Sequence, residues 1–295
     1  MSERVLYDIP VGSGGEDRGL DAVCWSPDGS RLAVGGEDGA VRVMGPDGRP
    51  LWEGRHEARV WSVSWSPDGR WLASGSDDRT VRLWEADGAE RAVFRGHTHA
   101  VLSTSWSSRG LWLASGSFDG TVRLWEVEGT GRSVFGEQTT LMRSVSWSPD
   151  GRWLAIGDYD HVVLVWEIGV PGSHFLRGHD GSVPSVCWSP DGRWLASASA
   201  DHTVRLWEFQ GAGGAVLEGH RDWVWSVSWS PDGRWLASGS LDNTVRLWEV
   251  GGNRRSVLEG HMAGVRSVSW SPDGGRLASV GDDGRLLIWS VDVGS

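Results

Sequence analysis

Residues 58–96 read ARVWSVSWSPDGRWLASGSDDRTVRLWEADGAERAVFRG. Val60–Trp65 is dense in β-branched and aromatic residues, so a strand is expected there. Pro67-Asp68-Gly69 ends it, because proline presets φ and glycine accepts the positive φ of a tight turn. Trp71–Ser76 is expected as a second strand, Asp77-Asp78-Arg79 as a turn and Thr80–Trp84 as a third strand. Past the Asp87-Gly88 turn, Arg91–Phe94 is expected as a fourth. Turn signals recur too often to leave a long segment of helical period.

The same unit recurs along the chain. Trp-Ser-Pro-Asp-Gly begins at Trp25, Trp65, Trp147, Trp188, Trp229 and Trp270, with a degraded copy at Trp106. Successive starts lie 40, 41, 41, 41, 41 and 41 residues apart. Thr-Val-Arg-Leu-Trp-Glu places further tryptophans at 84, 125, 207 and 248, with Trp166 and Trp289 in phase and Met44 in the first slot. Seven such repeats account for nearly all 295 residues, so residues 1–295 are expected as one domain. A lone four-stranded unit, apolar on both faces, needs a neighbour on each side. Seven units around an axis supply them, so the fold class is all-β, a seven-bladed β-propeller of four-stranded antiparallel blades. The chain ends near Leu286–Trp289 with no fourth strand after it. Arg4-Val5-Leu6-Tyr7 resembles the fourth-strand segment Arg255–Leu258, so the N-terminus is expected to complete the last blade.

These residues resemble the WD-repeat family of seven-bladed propellers along the whole chain, in a prokaryotic type with highly similar repeats. The family's Gly-His pair stands at Gly96-His97, Gly178-His179, Gly219-His220 and Gly260-His261, and His56 follows Arg55 in the same slot. The resemblance implies a buried tetrad of hydrogen-bonded side chains in five blades. The sets are His56/Ser74/Asp78/Trp84, His97/Ser115/Asp119/Trp125, His179/Ser197/Asp201/Trp207, His220/Ser238/Asp242/Trp248 and His261/Ser279/Asp283/Trp289. The first blade departs, with Glu16, Val34, Asp38 and Met44. So does the fourth, with Gln138, Ile156, Asp160 and Trp166. These two are expected to be the least rigid or the most specialised blades.

Five copies of a Ser/His/Asp set point to structure, since catalysis needs one pocket with its own oxyanion donors. No enzymatic activity, catalytic residue or cofactor is therefore expected. No Cys or His cluster has zinc-site spacing. The pair Asp158 and Asp160 suggests calcium, but a turn aspartate explains one member in every blade. Cys24 and Cys187 fall in blades one and five, too far apart for a disulfide, and two cysteines favour a reduced, cytoplasmic setting. Met1–Pro10 lacks the apolar core of a signal peptide, and no apolar run approaches the ~20 residues of a membrane helix. A net charge of −11 argues against a broad nucleic-acid surface. All 28 basic residues are arginine, which together with abundant Gly, Ala and Trp reads as a high-GC, bacterial composition.

The resemblance also implies a docking face at one mouth of the central channel. Three slots point there: three and five residues after the His position, and one before the turn Asp. They vary while the rest of the repeat barely changes. The expected partner-binding residues are Arg59, Trp61, Asp77, Leu102, Phe118, Leu141, Arg143, Tyr159, Trp223, Trp225, Leu241, Arg266 and Asp282. Aromatic residues and arginine are enriched at binding hot spots. Acidic slots, including Asp21 and Glu37, cluster on repeats one, two and seven, and apolar ones on three, four and six. Such a face suits a peptide with a basic and an apolar part. The expected function is a non-catalytic, monomeric scaffold that binds a protein or peptide, with no nucleic acid or membrane partner. The alternative is a carbohydrate- or small-molecule-binding propeller that uses the Trp-rich face. Of 22 tryptophans, 18 belong to repeating scaffold slots, which leaves Trp52, Trp61, Trp223 and Trp225.

Overall fold

The computed structural model describes residues 4–11, 19–129, 131–135 and 140–291, and all regular structure among them is strand. The quoted stretch forms Val60–Trp65, Trp71–Ser76, Thr80–Glu85 and Glu90–Arg95, within a residue of expectation. Seven four-stranded antiparallel sheets follow one another as blades of a ring. Arg4–Pro10 pairs antiparallel with Arg285–Ser290 and completes the seventh blade, running three residues beyond the expected segment. The Arg285 Nε donates to Asp8 Oδ1 at 2.9 Å, and Val5 and Ile9 pack on the adjoining core clusters.

The core lies between blades rather than within them. Trp71, Ala73, Val81 and Leu83 of the second blade interlock with Val101, Trp106, Leu113 and Trp125 of the third. The pattern repeats around the ring, and Leu20 and Val23 of the first blade close it against Val280, Leu286 and Ile288 of the seventh. Burying a tryptophan this way contributes an upper bound of about 4–6 kcal/mol. Close approach sets some residue choices: a Cβ on Gly75 would come 2.8 Å from Cγ1 of Val101 in the next blade. The turn glycines obey the same logic, with Gly69 at φ 69°.

Neighbouring inner strands are also stitched by serine. The hydroxyls of Ser62, Ser103, Ser144, Ser185, Ser226 and Ser267 accept the backbone NH of Thr104, Val145, Val186, Val227, Val268 and Val23 at 3.0–3.3 Å. The seventh slot holds Ala22, which has no hydroxyl to offer Val63.

All five expected tetrads form. In the sixth blade His220 Nδ1 meets Asp242 at 2.9 Å, His220 Nε2 meets Ser238 Oγ at 2.8 Å, and Trp248 Nε1 donates to Ser238 Oγ at 2.8 Å. The serine hydroxyl accepts from the indole and donates to Nε2, so the proton sits on Nδ1. A threonine joins in four blades; in the sixth, Thr244 donates to Asp242 at 2.6 Å. The two irregular blades solve the problem differently. Asp38 of the first accepts from Arg42 and from the Ala40 NH, and Glu16 lies outside the described residues. In the fourth, Asp160 sits in the turn as expected, but the buried, hydrogen-bonded aspartate is Asp158 at the end of the preceding strand. Asp158 is buried and accepts the Val162 NH at 2.8 Å and the Thr140 hydroxyl at 3.3 Å, whereas Asp160 is exposed. Ile156 stands in the tetrad-serine slot of this blade, and Gln138 lies outside the described residues. Cys24 and Cys187 are free thiols, and burial pushes Cys187 up to about 11.

Candidate functional site

The residue five places after the His slot has a backbone cause for facing the channel. In six blades the inner strand carries a β-bulge, and the residue skipped by the pairing register is that slot: Asp21, Trp61, Leu102, Arg143, Trp225 and Arg266. A bulge leaves one residue unpaired and re-aims its side chain. The fifth blade has Pro184 there instead, just ahead of the strand Ser185–Trp188, and proline has no NH for the ladder. All seven slot residues line one cavity of about 180 Å3 at the centre of the ring, joined by Phe118.

The other expected residues form a collar around this cavity. Arg59 Nε and Nη2 donate to Asp21 at 2.7 and 2.6 Å, and Nη1 reaches Glu37 at 3.1 Å. The same guanidinium lies 4.0 Å from the centre of the Trp61 ring, whose Nε1 donates to Asp77 at 2.7 Å. Arg266 Nε donates to Asp282 at 2.7 Å, and the guanidiniums of Arg266 and Arg143 lie 4.4 and 4.8 Å from the Trp225 ring. Tyr159 is exposed with its ring 6.0 Å from Arg143, and Trp223, 38% exposed, stacks on Trp225 at 5.9 Å and 10°. Leu141 and Leu241 lie beside these collar residues: exposed Leu141 gives its carbonyl to the Tyr159 NH, and the Leu241 NH donates to the Trp223 carbonyl.

The electrostatics divide the mouth. Burial pushes Asp21 up, against the hydrogen bonds and charge of Arg59. Burial lowers Arg143, and the like charge of Arg266 adds to this. Each carboxylate of the acidic half already has a partner within the protein, while Arg143 has no carboxylate partner among the described residues. Sequence reading did not find these pairings, which join residues of different repeats or opposite ends of one hairpin. The Asp and Arg in neighbouring variable slots were the signal available.

Fifteen of the 18 scaffold tryptophans are buried, and the exceptions are Trp112, Trp194 and Trp207. None of the remaining four is buried. Trp52 packs on Trp84 and donates to the Ala86 carbonyl at 3.1 Å, which makes it scaffold. Of the other three, Trp61 and Trp225 line the cavity and Trp223 stacks on Trp225. Among the described residues, no group of three or more His, Cys, Asp or Glu is placed to hold a metal ion. No helix among them is long and apolar enough to cross a membrane.

A family model described as "WD domain, G-beta repeat" matches seven times, at residues 11–43, 49–85, 88–126, 131–167, 172–208, 214–249 and 252–290. A search of curated proteins returns no match.

Proposed function

The chain belongs to the WD domain, G-beta repeat family, whose propellers commonly serve as protein-interaction scaffolds, and from that premise we propose that it is a non-catalytic scaffold binding a peptide or protein segment at the channel mouth. The observation that carries this reading is the convergence of seven variable slot residues on one cavity. A scaffold needs only the repeating core of each blade. The bulges give up ladder pairing to present side chains inward, and those side chains are rich in Trp and Arg. The binder is monomeric and cytoplasmic in this reading, and its partner is neither nucleic acid nor membrane.

Alanine at Trp61, Trp223 and Trp225 removes the aromatic collar and leaves the inter-blade cores untouched. The triple variant is expected to lose partner capture with little change in its melt. A folded triple variant that still captures the partner would move the site off this face. The parallel Trp223–Trp225 pair supports a second reading, because a flat indole face also stacks on a sugar ring. Glycan-array binding that free sugar competes away would favour it.

A further inference from the structure

Resting on the reading of the mouth as a peptide site, we propose that it recognises a carboxylate, held by Arg143, on a segment whose adjacent apolar side chain lies against Leu102, Phe118 and Tyr159. The acidic slots alone suggested a basic ligand, but each of their carboxylates already has a partner within the protein. Asp21 and Glu37 share Arg59, Asp282 holds Arg266, and Asp77 accepts the Trp61 indole NH. Arg143 is the charge left open. It projects from the bulge of the fourth blade into the cavity, lies against the Trp225 ring and makes no hydrogen bond among the described residues. A guanidinium half-withdrawn from water beside apolar side chains is costly until something pairs with it.

The planar fork of arginine matches a carboxylate through two parallel hydrogen bonds. Arg266, against the same indole, adds attraction for an anion placed beside Arg143. The charge balance of the mouth limits that anion. Three guanidiniums (Arg59, Arg143, Arg266) face four carboxylates (Asp21, Glu37, Asp77, Asp282), so a dianionic phosphate meets more repulsion than a monoanionic carboxylate. A lysine or arginine side chain would meet the like charge of Arg143, and every acid of the mouth already has a hydrogen-bond or ion-pair partner.

The test selects binders from a random library of 12-residue peptides, a length of roughly 40 Å when extended, on the wild-type protein. The peptides are then made with Asp→Asn or Glu→Gln, or with an amidated C-terminus. The expected result is enrichment of an acidic residue or dependence on a free C-terminus, with affinity falling about 10- to 100-fold when that carboxylate is neutralised. The side-chain amides and the amidated end tell an internal acid from a terminal one. Arg143→Gln should weaken binding to the same degree, and Arg143→Glu should regain it for peptides carrying Lys in place of the acid. The peptide-side changes need no variant to fold. Peptides that require Trp61, Trp223 and Trp225 yet bind equally well after neutralisation would overturn the carboxylate and keep the mouth as a peptide site. Failure to select any peptide dependent on those tryptophans would overturn both.

Discussion

Arg59 donates two hydrogen bonds, at 2.7 and 2.6 Å, to the carboxylate of Asp21 across the joint between the first and second blades. This is the joint where the inner-strand serine is replaced by Ala22, so the ion pair stands where a hydroxyl stitch stands elsewhere. The Asp21 side chain is 1% exposed and that of Arg59 23%. Arg59→Ala therefore strands a buried carboxylate and is expected to cost about 3 kcal/mol of unfolding free energy. Asp21→Asn removes the charge with the bond, and Glu37 still serves Arg59, so its cost should be smaller. Chemical denaturation of both variants checks the order; a costlier Asp21→Asn would reverse it.

The tetrads predict a blade-specific loss. Ser238→Ala takes the partner from both the His220 Nε2 and the Trp248 indole NH, all buried. The expected cost is about 2–3 kcal/mol, the penalty for leaving buried polar groups unpaired. Ile156→Ala in the fourth blade removes only apolar contact. Ser238→Ala should change the Trp248 indole NH shift in an NMR spectrum, and Ile156→Ala should leave every tetrad indole in place.

Acid should unfold the protein through the same networks. Burial works against ionisation of Asp78, Asp119, Asp201 and Asp242, but hydrogen bonds from His and Thr outweigh it and hold these carboxyls well below the usual range. A folded value below the unfolded one, about 4, means that the unfolded chain binds more protons as pH falls. The stability is thus present above about pH 4 and is lost as pH falls further. His220, lowered by burial, acts in the same direction from about pH 6.5 downward. Denaturation midpoints measured from about pH 7 down to about pH 2 should fall steadily, and Asp242→Asn should flatten the acid limb. A flat profile would remove the tetrads from the account of stability.

Removing residues 1–10 deletes the outer strand of the seventh blade and exposes the edge of Arg285–Ser290. Loss of this ladder and of the Val5 and Ile9 packing should lower the melting temperature by roughly 10 °C. An unchanged melt would refute the clasp.

Most of the fold was legible because each repeat states it again. Turn residues, strand residues and tetrad members recur in phase, so an ambiguity in one copy is resolved by the others. The role of Asp158 escaped that logic because it occurs once, where Ile156 breaks the pattern. The candidate site was legible as a set of slots, since variation against a constant background marks positions freed from packing. Its pairings were not. Arg59 meets Asp21 from another repeat, and Arg266 meets Asp282 within its own, a choice fixed by side-chain reach in the folded ring. The bulges were also hidden, because Trp61 and Arg143 sit within unbroken β-forming runs.

If the bulged residues of the channel mouth bind a peptide, the aromatic collar must be needed for binding and dispensable for folding. Calorimetric titration of a library-selected peptide into wild type and into the Trp61→Ala, Trp223→Ala, Trp225→Ala triple variant separates these two properties. Saturable one-to-one binding is expected for the wild type, and none for a triple variant with a near-native melt. Equal affinity for the two folded proteins would place the peptide site elsewhere.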